Sequence, residues 1–112
     1  MECVFCNIIK GKVPADLIYQ DSDIVAFNDI NPKAPVHVLI IPRKHIASVN
    51  GVQEEDAPLL GKLFIVGRKI ANDLGIAQGG FRLVVNTGPD AGQIVEHLHV
   101  HLLGGERVKG MF

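Results

Sequence analysis

Three histidines alternate with apolar residues in the segment His97-Leu98-His99-Val100-His101. Residues two apart on a β-strand point to the same face, so this spacing predicts three imidazoles on one face, with Leu98, Val100 and Leu102 on the other. Burial in a core explains the apolar residues but not the histidines. A neutral imidazole is nucleophilic near pH 7, which makes the histidine face a candidate site for covalent chemistry on phosphorus.

The residues alone leave two other interpretations of this face open. A polar strand face is often only solvated, although strict alternation of three histidines is not typical of such a face. Imidazoles two apart can also share a metal ion. At ~3.3 Å per residue, however, His97 and His101 stand ~13 Å apart along a strand, so at least one of the three must do something else. The middle residue, His99, is best placed for attack on a phosphate.

A second group of reactive side chains is the pair Cys3-Val4-Phe5-Cys6, which contains both cysteines of the sequence. Two thiolates at this spacing can bind one zinc ion, and histidines must then supply the two remaining ligands of a tetrahedral site. A redox pair is the competing hypothesis, but such motifs normally follow a strand, and none is expected before Cys3. Free thiols are the third alternative.

The elements that must position these groups follow from the apolar pattern. Apolar residues recur at helical spacing from about Glu54 to Leu74, with Pro58 in the first turn and Gly75 just past the end, which predicts one long amphipathic helix. The other predicted elements are a short helix over Phe5 to Lys10 and strands over Leu17 to Gln20, Ile24 to Asn28, Val36 to Ile41, Phe81 to Asn86 and His97 to Leu103.

Composition excludes several classes of protein. The 112 residues are 47% hydrophobic and 21% charged, which favours a single folded domain over residues 1–112. The 11 basic residues are scattered and the formal net charge is −1, so we expect no polymeric nucleic acid partner. We find no signal peptide and no apolar run of membrane-spanning length, so we expect no membrane partner and a cytoplasmic location.

Several further segments occur in the order found in one known family. They are Ala26-Phe27-Asn28-Asp29-Ile30, Ala34-Pro35-Val36-His37, Ile41-Pro42-Arg43-Lys44-His45-Ile46, Val85-Asn86 and Gly92-Gln93. Together with His-Leu-His-Val-His-Leu-Leu, they make the chain resemble the histidine triad (HIT) family over nearly its full length, in particular the histidine triad nucleotide-binding branch. The resemblance implies an α+β, HIT-like fold with a mostly antiparallel sheet of about five strands, one long amphipathic helix and a short N-terminal helix. It also implies a homodimer whose two sheets pair.

The same resemblance implies a function, which is hydrolysis of purine nucleoside phosphoramidates through a nucleotidyl-histidine intermediate on His99. It implies AMP or GMP binding beside the triad, with the ribose on Asp29 and the base between Phe27 and Ile30. The implied substrate-binding residues are Phe27, Asn28, Asp29, Ile30, Asn86, Gly92, Gln93, His99 and His101, and the implied catalytic residues are His37, His97, His99 and His101.

Some microbial members of this family bind a metal with such a cysteine pair, the histidine of the Pro-x-x-His segment and the first triad histidine. The resemblance therefore assigns Cys3, Cys6, His45 and His97 to a zinc site and leaves His99 and His101 for the substrate. Four protein ligands leave no open position for water, so this zinc is expected to be structural.

Ile94 departs from the family pattern, because members often carry serine or threonine directly after Gly92-Gln93. The hydroxyl contact near the phosphate is therefore missing, which predicts weaker binding or slower turnover unless water replaces it. Three alternative functions stay open. They are dinucleoside polyphosphate hydrolysis, nucleotide binding or sensing without turnover, and a zinc-dependent interaction module.

Overall fold

The computed structural model describes residues 3–110, in which five strands form one antiparallel sheet in the order β1-β2-β3-β5-β4. The elements are α1 (Val4–Ile9), β1 (Leu17–Gln20), β2 (Ile24–Asn28), β3 (Val36–Pro42), α2 (Ala57–Asp73), β4 (Phe81–Val84) and β5 (Val100–Gly104). Three short 3-10 turns cover Val49–Gly51, Glu54–Asp56 and Pro89–Ala91. The predicted α+β class, five-stranded antiparallel sheet, long helix and short N-terminal helix are confirmed. The single domain over residues 1–112 remains a prediction.

The sheet separates two hydrophobic clusters. On one face, α2 packs Leu63, Val66 and Ile70 against strand residues that include Val38, Ile40, Val100 and Leu102. On the other face, Phe5 of α1 packs with Val25, Phe27, Leu39 and Ile41. The register pairs Leu39 with Phe27 on one side and with His101 on the other, so these three side chains share the α1 face. The histidines therefore lie on the face of the sheet that α2 does not cover.

The histidine segment pairs over fewer residues than the alternation predicts. β5 begins at Val100. His97 and His99 precede it, in a segment that is not paired as a β-strand. The register would place Leu98 opposite Pro42, which has no N–H to donate. The Leu98 N–H donates instead to the Ile46 carbonyl at 2.6 Å. The predicted strand over residues 97–103 is thus corrected to residues 100–104.

Smaller differences occur at the other ends. β4 stops at Val84 rather than Asn86, β3 runs on to Pro42, and α1 covers Val4–Ile9. The long helix begins at Ala57 because the preceding turn is 3-10, where the Asp56 carboxylate accepts from the Gln53 N–H at 2.9 Å. Gly75, with φ of 74°, follows its end as predicted. No helix within residues 3–110 is both long and apolar enough to cross a membrane.

Candidate active site and metal centre

Cys3, Cys6, His45 and His97 converge at one end of the sheet, and their ligand atoms all lie within 4.8 Å of one another. Cys3 Sγ is 3.3 Å from His97 Nδ1, Cys6 Sγ is 3.3 Å from His45 Nδ1 and 3.6 Å from His97 Nδ1, and the two ring nitrogens are 3.1 Å apart. Ligand atoms of a tetrahedral zinc ion stand roughly 3.3–3.8 Å apart. The cluster could therefore hold a metal ion, and its two sulfurs and two imidazole nitrogens fit zinc.

The contacts around this cluster favour a metal over a redox pair. His97 is fully buried, and its Nε2 donates to the Pro42 carbonyl at 2.8 Å, which leaves the lone pair of Nδ1 facing the cysteines. Burial and the neighbouring Cys3 raise the pKa of the Cys6 thiol. Both cysteines are free. A bound cation would favour loss of both thiol protons and would offset the repulsion between the two thiolates.

His99 carries its proton on a defined nitrogen. Its Nδ1 lies 2.7 Å from the His97 carbonyl oxygen, which can only accept, so Nδ1 is the protonated nitrogen and Nε2 keeps its lone pair. The side chain is only 8% exposed, and this burial lowers the pKa of His99. His99 is thus a neutral imidazole with an unprotonated Nε2, as a nucleophile requires.

His101 has the opposite arrangement because of His37. The Lys33 backbone N–H donates to His37 Nδ1 at 3.0 Å, so the proton of His37 is on Nε2. This Nε2 donates to His101 Nδ1 at 2.9 Å, which leaves the proton of His101 on its own Nε2. Burial, with the neighbouring His99 and His37, lowers the pKa of His101 from 6.5 to about 4. His101 is therefore a neutral hydrogen-bond donor beside His99, at a ring-centroid distance of 5.0 Å.

The loop after β2 brings a carboxylate to these histidines. Asp29 Oδ1 accepts from the Asn31 N–H at 2.8 Å, and Oδ2 lies 3.4 Å from His37 Nε2. One oxygen shapes the turn while the other faces the histidine network. Among the neighbouring predicted residues, Phe27 is buried in the cluster under α1, the Asn28 amide donates to Asp16 at 2.8 Å, and Ile30 is 91% exposed.

The Gly88–Gln93 loop is held together from within. The Gln93 side chain accepts from the Gly88 N–H and donates to the carbonyls of Ala47 and Val95, at 2.8 to 3.0 Å. The N–H groups of Gly92 and Gln93 donate to Pro89 and Gly88 carbonyls within the loop, both at 3.0 Å. The contacts of Gln93 thus set the loop's shape, and its role in holding phosphate remains a prediction. Asn86 lies half-buried just after β4, before this loop.

Comparison with known proteins agrees with this geometry. A family model described as scavenger mRNA decapping enzyme C-term binding matches residues 2–110. The purine nucleoside phosphoramidase of Escherichia coli (strain K12) is 48% identical over 104 residues, which cover 93% of this chain and 87% of that protein.

Solved structures of HIT proteins share its fold. The crystal structure of a HIT family hydrolase from Legionella pneumophila Philadelphia 1 superposes with a TM-score of 0.95 at 45% identity and covers 96% of both chains. A HIT family hydrolase from Clostridium thermocellum superposes with a TM-score of 0.93 at 50% identity, and the match covers 97% of this chain and 95% of that one. The histidine triad nucleotide-binding protein of Candida albicans superposes with a TM-score of 0.82 at 33% identity. The match covers 90% of this chain and 73% of that one. The chain belongs to the HIT family. The predicted resemblance to this family is therefore confirmed.

Sequence reasoning missed one side chain of this HIT site. Phe5 was predicted only as the start of a helix, yet its ring lies against His97, His99 and Phe27, with centroids 5.2 to 5.9 Å apart. The available signal was its place between two cysteines predicted to share a metal. The backbone partners of the histidines, Lys33 N–H and the carbonyls of Pro42 and His97, were not identified from the sequence either.

Proposed function

We propose that this protein is a purine nucleoside phosphoramidase that cleaves the P–N bond through a nucleotidyl-histidine intermediate on His99. The observation that carries the proposal is the opposite protonation of two adjacent imidazoles. His99 offers an unprotonated Nε2, and His101 offers a protonated one. A nucleophile and a neutral donor side by side suit attack on a phosphate. The identity to the E. coli phosphoramidase supports the same activity.

In the first step, His99 Nε2 attacks the α-phosphorus, and the P–N bond to the amine breaks. The amine leaves with its bonding electron pair and takes a proton from solvent water. The imidazole bonded to phosphorus is then cationic, and its Nδ1–H still donates to the His97 carbonyl, which stabilises the charge. The Nε2–H of His101 donates to a phosphate oxygen, where negative charge develops.

In the second step, water attacks the phosphorus, the bond from phosphorus to Nε2 breaks, and the water proton returns to solvent. The nucleoside monophosphate and neutral His99 are restored. His101 acts as a donor rather than as a proton source, because its lowered pKa keeps it neutral at physiological pH.

The proposed nucleotide site continues from the histidines towards the loop after β2. Asp29 would accept from the ribose hydroxyls, since its Oδ2 already faces the histidine network. Phe27 and the exposed Ile30 would flank a purine, with Asn28 beside them. On the phosphate side, Asn86 and the loop containing Gly92 and Gln93 would complete the site. His37 and His97 act through the hydrogen bonds that orient His101 and His99.

Zinc is the proposed ion for the cluster of Cys3, Cys6, His45 and His97. The donor set and its spacing support this choice. With all four positions filled by protein, the ion would tie α1 to the sheet and take no part in the reaction. A cytoplasmic location, which the sequence predicts, would keep both thiols reduced and available to the metal.

A homodimer is proposed through α2 and the β4 edge of the sheet. Phe64 and Ile65 of α2 are 57% and 49% exposed, and β4 is an edge strand whose backbone can pair with a second copy. The two features adjoin, because Gly67 of α2 lies against Leu83 of β4. Pairing here would continue the sheet and cover the exposed helix face.

The test is release of AMP from adenosine 5′-phosphoramidate by the wild-type protein, His99→Ala and the control Asn72→Ala, which changes an exposed residue of α2. We expect turnover by wild type and control, none by His99→Ala, and AMP binding by calorimetry in all three. AMP binding without turnover by wild type would instead favour a nucleotide-sensing protein. Preferred cleavage of diadenosine tetraphosphate would favour a dinucleoside polyphosphate hydrolase, and partner binding without nucleotide affinity a zinc-dependent module.

A further inference from the structure

Phe5 lies where the metal cluster, the candidate nucleophile and the candidate base pocket meet. Its ring centroid is 5.2 Å from that of His99, with the planes at 89°, and 5.9 Å from that of His97. The Phe5 ring also packs edge-on against the Phe27 ring, with the ring centroids 5.4 Å apart. The side chain is only 6% exposed.

One hydrogen bond does not fully orient the His99 ring. The bond from Nδ1–H to the His97 carbonyl restrains the ring, but a hydrogen bond tolerates a range of angles, so the ring can still pivot slightly about its Cβ–Cγ bond. Such a pivot moves Nε2, which is the atom that must reach phosphorus. A displacement of ~1 Å in a reacting group can cost ~100-fold in rate. The perpendicular contact with Phe5 supplies a second restraint, because an edge-to-face pair has a preferred geometry.

Phe5 is in turn held by the cysteines on either side of it. Helix α1 has six residues, too few to be stable without attachment. Cys3 and Cys6 enclose Phe5 in the chain, and both reach the cluster completed by His45 and His97. Closing this cluster on a metal would therefore fix the backbone that carries the Phe5 ring.

We propose that Phe5 is a positioning residue for His99, and that the metal cluster sets the place of Phe5. This inference rests on the proposed function, in which His99 Nε2 is the nucleophile. Loss of the metal would then change the position of the Phe5 ring and, through it, the orientation of His99, although no metal ligand touches the substrate.

The kinetic test compares Phe5→Leu with Ile9→Ala. Leucine keeps an apolar side chain but removes the ring, whereas Ile9 packs on the same hydrophobic cluster from the same helix. We expect Phe5→Leu to lower kcat about tenfold, or about 1.4 kcal/mol, with KM changed less than threefold. Ile9→Ala should leave kcat unchanged, and Phe5→Tyr should restore most of it. An equal fall in kcat for Phe5→Leu and Ile9→Ala would overturn the positioning role.

A second experiment tests the link between the metal cluster and His99 by NMR of the histidine ring carbons, so it does not depend on turnover. The signal of His99 is identified by its loss in His99→Ala. Addition of Zn²⁺ to chelator-treated wild type should shift this signal, because the Phe5 ring current acts on it, and should shift it much less in Phe5→Leu. An unmoved signal in wild type, or an equal shift in both proteins, would overturn the link between the cluster and His99. Failure of the phosphoramidase assay alone would overturn the proposed function and leave this readout valid.

Discussion

The Nε2 of His37 lies 2.9 Å from the Nδ1 of His101, and this contact determines which nitrogen of His101 is free to donate. His37 is 3% exposed, and the Lys33 backbone N–H occupies its other ring nitrogen. The proton arrangement of the site thus begins at a backbone amide and passes through two imidazoles.

Replacing His37 by Leu should impair catalysis more than binding. Without the donor at its Nδ1, His101 can place its proton on either nitrogen, and a lost buried hydrogen bond costs about 1–3 kcal/mol. We therefore expect kcat to fall about 10- to 100-fold for adenosine phosphoramidate. His37→Gln, whose amide can both accept from Lys33 and donate to His101, should lose less. If the Leu and Gln variants are equally slow, this proton arrangement is wrong.

Acid should destabilise the protein through His101. Its pKa is 6.5 when unfolded and about 4 when folded, so below pH 6.5 the unfolded chain binds a proton that the folded chain does not. Stability is therefore full above about pH 6.5 and falls as pH drops towards 4, by about 3 kcal/mol for this group. Urea unfolding with chelator present, at pH 7 and pH 4, should show a smaller loss in His101→Gln. An equal loss would contradict the assignment.

Purified protein should contain one zinc ion per chain, measured by mass spectrometry of the metal. His45 is exposed, so His45→Ala removes little packing and tests the ion itself. We expect this variant to lose the zinc and melt roughly 10 °C lower, since a ligand well above its Kd stabilises by a few kcal/mol. Wild type in chelator should melt at the temperature of the variant. Zinc retained by His45→Ala would exclude His45 as a ligand.

Ile94 is 92% exposed in the segment that follows Gly92-Gln93, where the family often has a hydroxyl. Threonine and valine have nearly the same shape, so Ile94→Thr and Ile94→Val differ only in that hydroxyl. We expect the Thr variant to exceed the Val variant in kcat/KM about tenfold, because a hydrogen bond to a charged phosphate contributes about 1.5–3 kcal/mol. Equal kcat/KM values for the two variants would show that the threonine hydroxyl adds no contact beyond what water already provides.

The proposed dimer should depend on Phe64. A glutamate there would place a charge in the covered helix face, so Phe64→Glu should be a monomer by light scattering. Leu17 is 43% exposed on the opposite edge strand, and Leu17→Glu is the matched control that should remain dimeric. A monomeric wild type would contradict the proposed dimer. A dimer that is broken by Leu17→Glu and not by Phe64→Glu would place the contact at the other edge of the sheet.

Periodicity predicted the elements well because each has one face in a hydrophobic cluster. The alternation over residues 97–103 identified the histidine strand, but its start depends on Pro42, a residue 55 positions away along the chain that cannot extend the ladder. Such a pairing is not visible in the local pattern. For the same reason the sequence named the reactive side chains but not their proton positions, which depend on backbone groups such as Lys33 N–H.

Phe5 and Gln93 illustrate a second limit. By residue type, Phe5 belongs to the core and Gln93 to a polar loop, and both descriptions are correct as far as they go. Their particular contacts arise only when distant segments meet, since Phe5 faces His99 across the fold and Gln93 reaches Ala47. The family resemblance assigned Gln93 to the substrate, but it gave neither the contact of Gln93 with Ala47 nor any role for Phe5.

The sheet order has a consequence for how the protein is made. β5 pairs with β3 in the middle of the sheet although it follows all other described strands in the chain, and Cys3 is 94 residues ahead of His97. At 5–20 residues per second, a ribosome needs about 5–20 s to travel between them. During that time the thiols are already translated, while the imidazoles that complete the metal cluster and the reactive centre are still being added. A nascent chain should therefore lack the proposed phosphoramidase activity until synthesis has passed β5.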